Sequence, residues 1–376
     1  MYGEGTVYKK PNGKWAAQCF VTLPNGDKKR AFASGDTQKE ALDKLHIIKN
    51  QERNHIPYTE KDWVLSDYLD YWLYEVQQNK IEESTLDGYE RLINKHLKPA
   101  LGGYKLKSLS VQNVRAGMDT IIANGFAGSV ANKCMQVLRT CLKCAMREEL
   151  IMRNVATLVD KPKYKPDERV IWTAEQSALF LKSVRDHPQY IAFLMLLTYG
   201  MRRGEILALR FSDVDFDNKE IHFRQQITRL RGRIKVSRLK TASSHRTTPL
   251  DPIIRDAILE HANKRGVSIT PFNHKYSLSM DDTIIRSKAN TPIEPRNFIR
   301  TFHDLSEKAG LPRIAVHDTR HFAGTNFKDV GMPTKDAQRI LGHAKEETTL
   351  RIYQHGTHET QRIGISAATA RLCPVR

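Results

Sequence analysis

The sequence predicts a multidomain protein, mainly α with small β-sheets. Three observations carry this. Apolar residues recur at helical spacing over most of the chain. Strand-like runs punctuated by turn signals are confined to the first fifty residues and to a stretch after Val214. Two proline-bearing linkers, "NHIPYTEKD" at Asn54–Asp62 and "DKPKYKPDER" at Asp160–Arg169, interrupt the pattern. A length of 376 residues suits two or three domains, taking about 150 residues for each as a prior. The division expected is 1–57, a small three-stranded sheet with one helix; 62–160, all helical; and 168–376, mixed α+β.

In the first segment "PNG" occurs at 11–13 and again at 24–26, each a strong turn signal. Between them "KWAAQCFVTL" is long enough to cross a small sheet. "SGDTQKEALDKLHIIKN" then reads as a helix, with Thr37 and Glu40 as a capping box and Leu42, Leu45 and Ile48 at helical spacing. Lys9, Lys10, Lys14, Lys28, Lys29 and Arg30 cluster on the sheet. They read either as edge-strand lysines that discourage association or as contacts to nucleic acid, and these residues alone leave both readings standing.

In the second segment "WVLSDYLDYWLYEVQ" is helical. Ser84 or Thr85 can cap the next helix, which "PALGGYKL" should break, and "VQNVRAGMDTIIANG" and "SVANKCMQVLRTCLKCAMREEL" supply two more. Cys141 and Cys144 form a CxxC without a second pair, so they read as core-facing helix, and no zinc is expected. Five cysteines, an odd number, do not make a disulfide framework. In the third segment "WTAEQSALFLKSVRDH" and "YIAFLMLLTYG" are helices, "VDFDNKEIHFRQQITRLRGRIKV" alternates as strands do, and helices dominate again from Pro252.

The charge is strongly basic: 60 Lys+Arg against 42 Asp+Glu, a formal net charge of +18. Such a balance points to a polyanion, nucleic acid first. Between Ile221 and Leu250 there is no acidic residue, yet the stretch holds Arg224, Arg229, Arg231, Arg233, Lys235, Arg238, Lys240 and Arg246. A solvated face mixes signs, so this run is the sharper signal. A membrane partner is not expected: "MYGEGTVYKK" lacks the apolar core of a signal peptide, no basic helix carries a Trp/Phe face, and "IAFLMLLTYGM" falls short of the roughly 20 residues that span a bilayer. The expected setting is cytoplasmic and nucleoid-associated.

"VHDTRHF" places His317, Arg320 and His321 within one turn and a half, where a helix would point all three the same way. Alone it reads as a solvated basic face. It is followed and preceded, however, by "GMRRGEILAL" (Gly200 to Leu209), "LKTASSHRTTPL" (Leu239 to Leu250) and "LGHAKEETTLRIYQH" (Leu341 to His355). This ordered set resembles the tyrosine recombinases, the phage-integrase family. The resemblance implies catalytic roles for Arg202, Lys240, His317, Arg320, His343 and Tyr353. Glu205 reads as a partner that orients an arginine. Arg203 and His321 read as supporting contacts, and His355 and His358 as surface residues. "HFAGT" departs from the family in lacking a hydroxyl residue directly after the second histidine. The helical segment resembles the family's core-binding domain, and residues 1–57 resemble, in layout, the small arm-binding domain of phage and conjugative-element integrases.

A phosphodiester attacked in line gathers charge on its equatorial oxygens. Many phosphoryl-transfer enzymes offset it with magnesium. This chain shows no carboxylate cluster suited to that ion, so neither metal nor cofactor is expected, and the forks of Arg202 and Arg320 would offset the charge, with donors from His317 and His343. Tyr353 would be the nucleophile. A phenol has a pKa near 10, so nearby cations and a base, for which His317 is the candidate, would have to activate it. The product is a 3′-phosphotyrosine. The resemblance implies that Lys240 protonates the leaving 5′-oxygen, and Lys235 in the same basic stretch is the alternative. DNA contacts are expected from Arg229, Arg231, Arg233 and Lys235 at the core site and from Lys14, Lys28, Lys29 and Arg30 at an arm site. The resemblance further implies a clamp on double-stranded DNA, a homotetramer exchanging strands in pairs, integration and excision of a phage or mobile element, and an excision factor and a DNA-bending protein as candidate partners. Two rivals share part of the pattern: a type IB topoisomerase, and a non-catalytic DNA-binding regulator that kept the fold.

Overall fold

The computed structural model describes residues 5–22, 26–53, 62–162, 170–239, 241–273, 275 and 277–342. The chain forms two compact units, Met1–Pro166 and Asp167–Arg376. The first unit holds two separate apolar cores.

The smaller core lies beneath an antiparallel sheet of β1 (Thr6–Lys9), β2 (Trp15–Thr22) and β3 (Lys28–Gly35) in that order. The first "PNG" closes its turn through Lys10 N–H to Lys14 O at 2.7 Å and Gly13 N–H to Lys10 O at 3.0 Å. The second "PNG" lies mostly outside the described residues. Side chains of a strand alternate between faces. Ala17, Cys19, Val21, Ala31 and Ala33 point inward onto Ala41 and Leu45 of α1 (Gln38–Arg53). The outer face carries Gln18 opposite Phe32 and Phe20 opposite Arg30, with Phe20 57% and Phe32 55% exposed. The Arg30 guanidinium lies 5.2 Å from the Phe20 ring centroid. Lys28 is opposite Thr22 on this outer face, whereas Lys29 is opposite the inward Val21 and so alternates to the helix side. The basic residues therefore do not share one surface. Lys14 pairs with Asp36 at 3.3 Å in an exposed bridge. At the start of α1, Thr37 Oγ1 accepts from Glu40 N–H, but the Glu40 carboxylate accepts from Asp36 N–H at 2.9 Å, one residue earlier than the expected box.

The larger core belongs to the helices. α2 (Leu65–Tyr71) continues into a π-helical turn, Trp72–Gln77, with Tyr68, Leu69, Trp72 and Leu73 fully buried. α3 (Glu83–Leu92) starts after Glu82, so Ser84 and Thr85 lie inside the helix and do not cap it. Nor does Pro99 break the chain's course. A proline has no N–H for the carbonyl four residues back and crowds it. Here α3 runs through a π turn, Ile93–Leu97, into α4 (Lys98–Leu101), with Lys98 N–H reaching the Ile93 carbonyl five residues back. The wider turn accommodates the ring, and helix stops only at Gly102. α5 (Val111–Ala123) begins at a Ser110–Asn113 capping box, and α6 (Gly128–Arg147) buries the free thiols of Cys134, Cys141 and Cys144.

The second unit opens with α7 (Ala174–Ser183), boxed by Thr173 and Gln176, and α8 (Tyr190–Tyr199), apolar on nearly every side and buried accordingly. α9 (Arg203–Ala208) follows directly. β4 (Val214–Asp215) and β5 (Glu220–Phe223) pair with the later β8 (Arg246–Pro249), while β6 (Gln225–Leu230) and β7 (Arg233–Arg238) form a hairpin of their own. The remaining helices are α10 (Pro252–Lys264), α11 (Pro295–Lys308), α12 (Asp318–Asp329) and α13 (Thr334–Leu341). Helices do not dominate without interruption after Pro252: 265–294 has no helix or strand among its described residues. That stretch is short of helical apolar spacing and is held through polar groups, as where Gln225 Nε2 donates to Ser279 O at 2.7 Å. No helix of the described residues is long and apolar enough to cross a membrane.

The β6–β7 turn is Arg231–Gly232, with φ of +46° and +82°. That is the mirror-image turn whose twist suits a hairpin, and it favours Asn at the first position. Arginine there costs about 1 kcal/mol or more. Arg231→Asn is expected to raise the unfolding free energy by up to about 1 kcal/mol, read from the urea midpoint. A lowered midpoint would show that the tip carries no such strain.

Candidate active site

Gly200 ends α8 with φ +61°, and a Cβ there would meet Leu341 Cδ2 at 2.5 Å and the Ala323 Cβ at 3.0 Å. Only glycine serves both the left-handed turn and the close approach. The turn delivers Arg202 to the head of α9. Its backbone N–H donates to Glu205 Oε2 at 3.0 Å. Its Nη1 donates to Glu205 Oε1 at 2.7 Å and Ser244 Oγ at 3.3 Å, and its Nη2 to the Gly342 carbonyl at 3.0 Å. Glu205 is 1% exposed. Its Oε2 also accepts from Nη2 of Arg246, on β8, at 2.9 Å.

Arg246 Nε donates to Ile340 O at 2.6 Å and its Nη1 to Ser244 O at 3.1 Å, with the guanidinium 4.2 Å from the Phe223 ring centroid. Arg320, on α12, is buried. Its Nη1 donates to the Gly200 carbonyl at 2.8 Å and its Nη2 to the Leu341 carbonyl. Three guanidiniums thus reach three consecutive carbonyls, of Ile340, Leu341 and Gly342, where α13 ends. The last carbonyls of a helix lack intrahelical donors and carry its partial negative charge, so cations are favoured there.

The electrostatics follow from this crowding. Burial alone would raise the Glu205 pKa, but Arg246 and Arg202 outweigh it and hold the carboxyl below its usual range. Burial, then the neighbouring Arg202 and Arg246, push the Arg320 guanidinium down to about 9 against the opposing pull of Glu205. The cluster of Arg202, Arg246 and Arg320 around Glu205 therefore has a surplus of positive charge. Such a site suits an anion with several oxygens.

His317, Arg320 and His321 do not point the same way. Arg320 turns into the core, while His317 stands exposed just before α12 and meets His321 edge to face, ring centroids 5.6 Å apart. Lys240, His343 and Tyr353 lie outside the described residues. Arg229, Arg231, Arg233 and Lys235 sit on the β6–β7 hairpin, and Arg229 is tied to Glu294 at 2.8 Å. Sequence reasoning gave no site role to Arg246 or Ser244. Their signal lay in "LKTASSHRTTPL", where both stand within six residues after Lys240.

Residues 172–360 match the model of the phage integrase family, and 64–117 match its N-terminal SAM-like domain. A tyrosine recombinase XerC-like protein of Caldanaerobacter subterraneus is 25% identical over 93% of this chain and 94% of its own. The Tn1549 transposon integrase, solved with a circular intermediate DNA, superposes with a TM-score of 0.68 at 21% identity, over 81% of this chain and 99% of that one. A λ integrase tetramer bound to a Holliday junction gives 0.59 at 16% identity, over 92% and 94%.

Gly200→Ala is expected to cost about 2–5 kcal/mol, the sum of a left-handed backbone penalty and overpacking, and to slow DNA cleavage because the Gly200 carbonyl seats Arg320. Denaturant unfolding and cleavage assays check this; a neutral outcome in both would separate the turn from the site.

Proposed function

Because the chain belongs to the phage integrase family and is a tyrosine-type site-specific DNA recombinase, we propose that it integrates and excises a mobile element through a 3′-phosphotyrosine intermediate. The observation that carries this reading is the surplus of guanidinium charge gathered about Glu205 by Arg202, Arg246 and Arg320.

In this reading Arg202 and Arg320 receive the scissile phosphate. Arg202 Nη1 is committed to Glu205 and Ser244. Its Nε has no partner among the described residues, so the Nε/Nη2 edge is the fork offered to the non-bridging oxygens. The Tyr353 oxygen attacks phosphorus and gives its proton to a histidine, for which His317 is our candidate. The bond from phosphorus to the 5′-oxygen breaks, and Lys240 protonates that oxygen. His343 donates to the same phosphate. Attack by a 5′-hydroxyl of another strand then re-forms the diester and frees the tyrosine. One diester is exchanged for another, so the reaction needs no outside energy.

The DNA complexes of the Tn1549 and λ integrases support DNA as the partner, and the λ tetramer supports a homotetramer on it. The basic β6–β7 hairpin, through Arg231, Arg233 and Lys235, suits the core-site backbone. We assign 1–57 to arm-type DNA, 62–160 to core DNA and 168–376 to catalysis. The outer face of β1–β3, with Gln18, Phe20, Lys28, Arg30 and Phe32, is the surface a major groove would meet. An excision factor, a DNA-bending protein and a nucleoid location belong to the same proposal.

Tyr353→Phe should abolish the covalent protein–DNA adduct on a nicked suicide substrate, in excess EDTA as without it, while DNA binding stays nearly unchanged. An adduct formed by the Phe variant would mean that another residue is the nucleophile.

A chain lacking residues 1–57 should still cleave a core-site suicide substrate but lose integration of a full attachment site with its arms, since one protomer could no longer hold both sites. Full-site integration by the truncated chain at the intact rate would return the sheet's lysines to an edge-protecting role.

A further inference from the structure

We infer that Arg246 is a positioning residue for strand cleavage: it fixes the Arg202–Glu205 pair and the end of α13 in one place without itself meeting DNA. The inference deepens the proposed function and rests on it.

Arg246 is committed to acceptors within the protein. Its side chain is 5% exposed. Each of its three nitrogens has an acceptor: Nε has Ile340 O, Nη1 has Ser244 O and Nη2 has Glu205 Oε2. The Phe223 ring covers the guanidinium plane. What it holds is nevertheless the phosphate-facing group. Glu205 lies between Arg246 and Arg202 and is shared by both. Without Arg246 the carboxylate would keep only Arg202 and could turn with it. The same guanidinium grips Ile340 O, the neighbour of the two carbonyls that seat Arg320 and Arg202. It also grips the backbone of Ser244, whose hydroxyl accepts from Arg202 Nη1. Every route from Arg246 therefore leads to the placement of Arg202 and Arg320. A displacement of about 1 Å in such a group can slow a reaction about 10²-fold.

The full chain is tested on two nicked suicide duplexes built from the attachment sequence flanking its gene. One carries the natural scissile phosphodiester and the other a methylphosphonate in its place. The methylphosphonate is neutral and keeps a single non-bridging oxygen, so it depends less on the exact aim of the guanidiniums, whereas a loosened fold would slow both substrates alike. Arg246→Met is expected to lower single-turnover cleavage of the natural diester about 10²-fold at nearly unchanged DNA affinity, and the deficit should shrink at least tenfold on the methylphosphonate. Arg246→Lys keeps a charge near Glu205 but cannot serve three acceptors, and should fall between. In an Arg202→Ala background, Arg246→Met should add little further loss. Equal deficits on both substrates, full additivity with Arg202→Ala, undiminished cleavage, or failure of both Arg246 variants to fold would each overturn the inference. A wild-type chain that forms no adduct on the natural diester would instead overturn the proposed function.

Discussion

The carboxylate of Glu205, buried between the guanidiniums of Arg202 and Arg246, is the interaction on which the second unit's organisation depends. It joins α9 to β8. A charge taken out of water is tolerated only when paired and hydrogen-bonded, and removing one partner of such a pair typically costs about 3–5 kcal/mol. Glu205 satisfies that condition with three donated hydrogen bonds, from the Arg202 amide, Arg202 Nη1 and Arg246 Nη2, and the first turn of α9 is what brings its side chain back to the Arg202 N–H. The carboxylate does not neutralise the cluster. It orients two cations and leaves a surplus.

That surplus has to be contained in the DNA-free protein, and the end of α13 does so. Ile340, Leu341 and Gly342 present consecutive carbonyls to Arg246, Arg320 and Arg202. Two glycines make the approach possible. Gly200 lets α8 turn away beneath Leu341, and Gly342 lets the chain leave α13 at φ +65° beside the Ser243 carbonyl and Arg246. The contacts tie residues near position 200 to residues near 340, so the site closes only when the whole unit has folded.

Much of this was legible in advance because two kinds of signal are local. Helical spacing and turn chemistry identified α1, α7 and α8 and the strands on either side of Arg231. The order of short boxes identified Arg202, Glu205 and Arg320 as members of one set, and the structure brings those three together. What was not legible depends on the third dimension. The helix stops inside "PALGGYKL" as expected, but that it passes Pro99 and ends only at Gly102 shows once the π turn before the proline is seen. Lys29 reads like Lys28 until the register of β2 and β3 assigns them opposite faces. Arg320 reads as a companion of His317 and His321, yet the carbonyls of Gly200 and Leu341 draw it inward and leave the imidazoles outside. Arg246 reads as one more cation in an acid-free run; only its three acceptors distinguish it.

Anchoring by backbone carbonyls has a consequence for the chemistry. A carbonyl oxygen does not titrate, and the carboxylate that does titrate, Glu205, is held ionised by its partners. In the proposed reading the positive charge facing the phosphate is thus set by the fold, and it falls only at alkaline pH, where Arg320, pushed down to about 9, would lose its proton. Strand exchange demands this. Cleavage and rejoining pass through the same charged phosphorus centre, first with a phenol as nucleophile and a 5′-hydroxyl leaving, then with the roles reversed. Groups that hold the equatorial oxygens act equally in both directions, whereas proton donors and acceptors must change roles between them. A rigid cationic seat, separate from the residues that move protons, lets one site run the reaction both ways without favouring either.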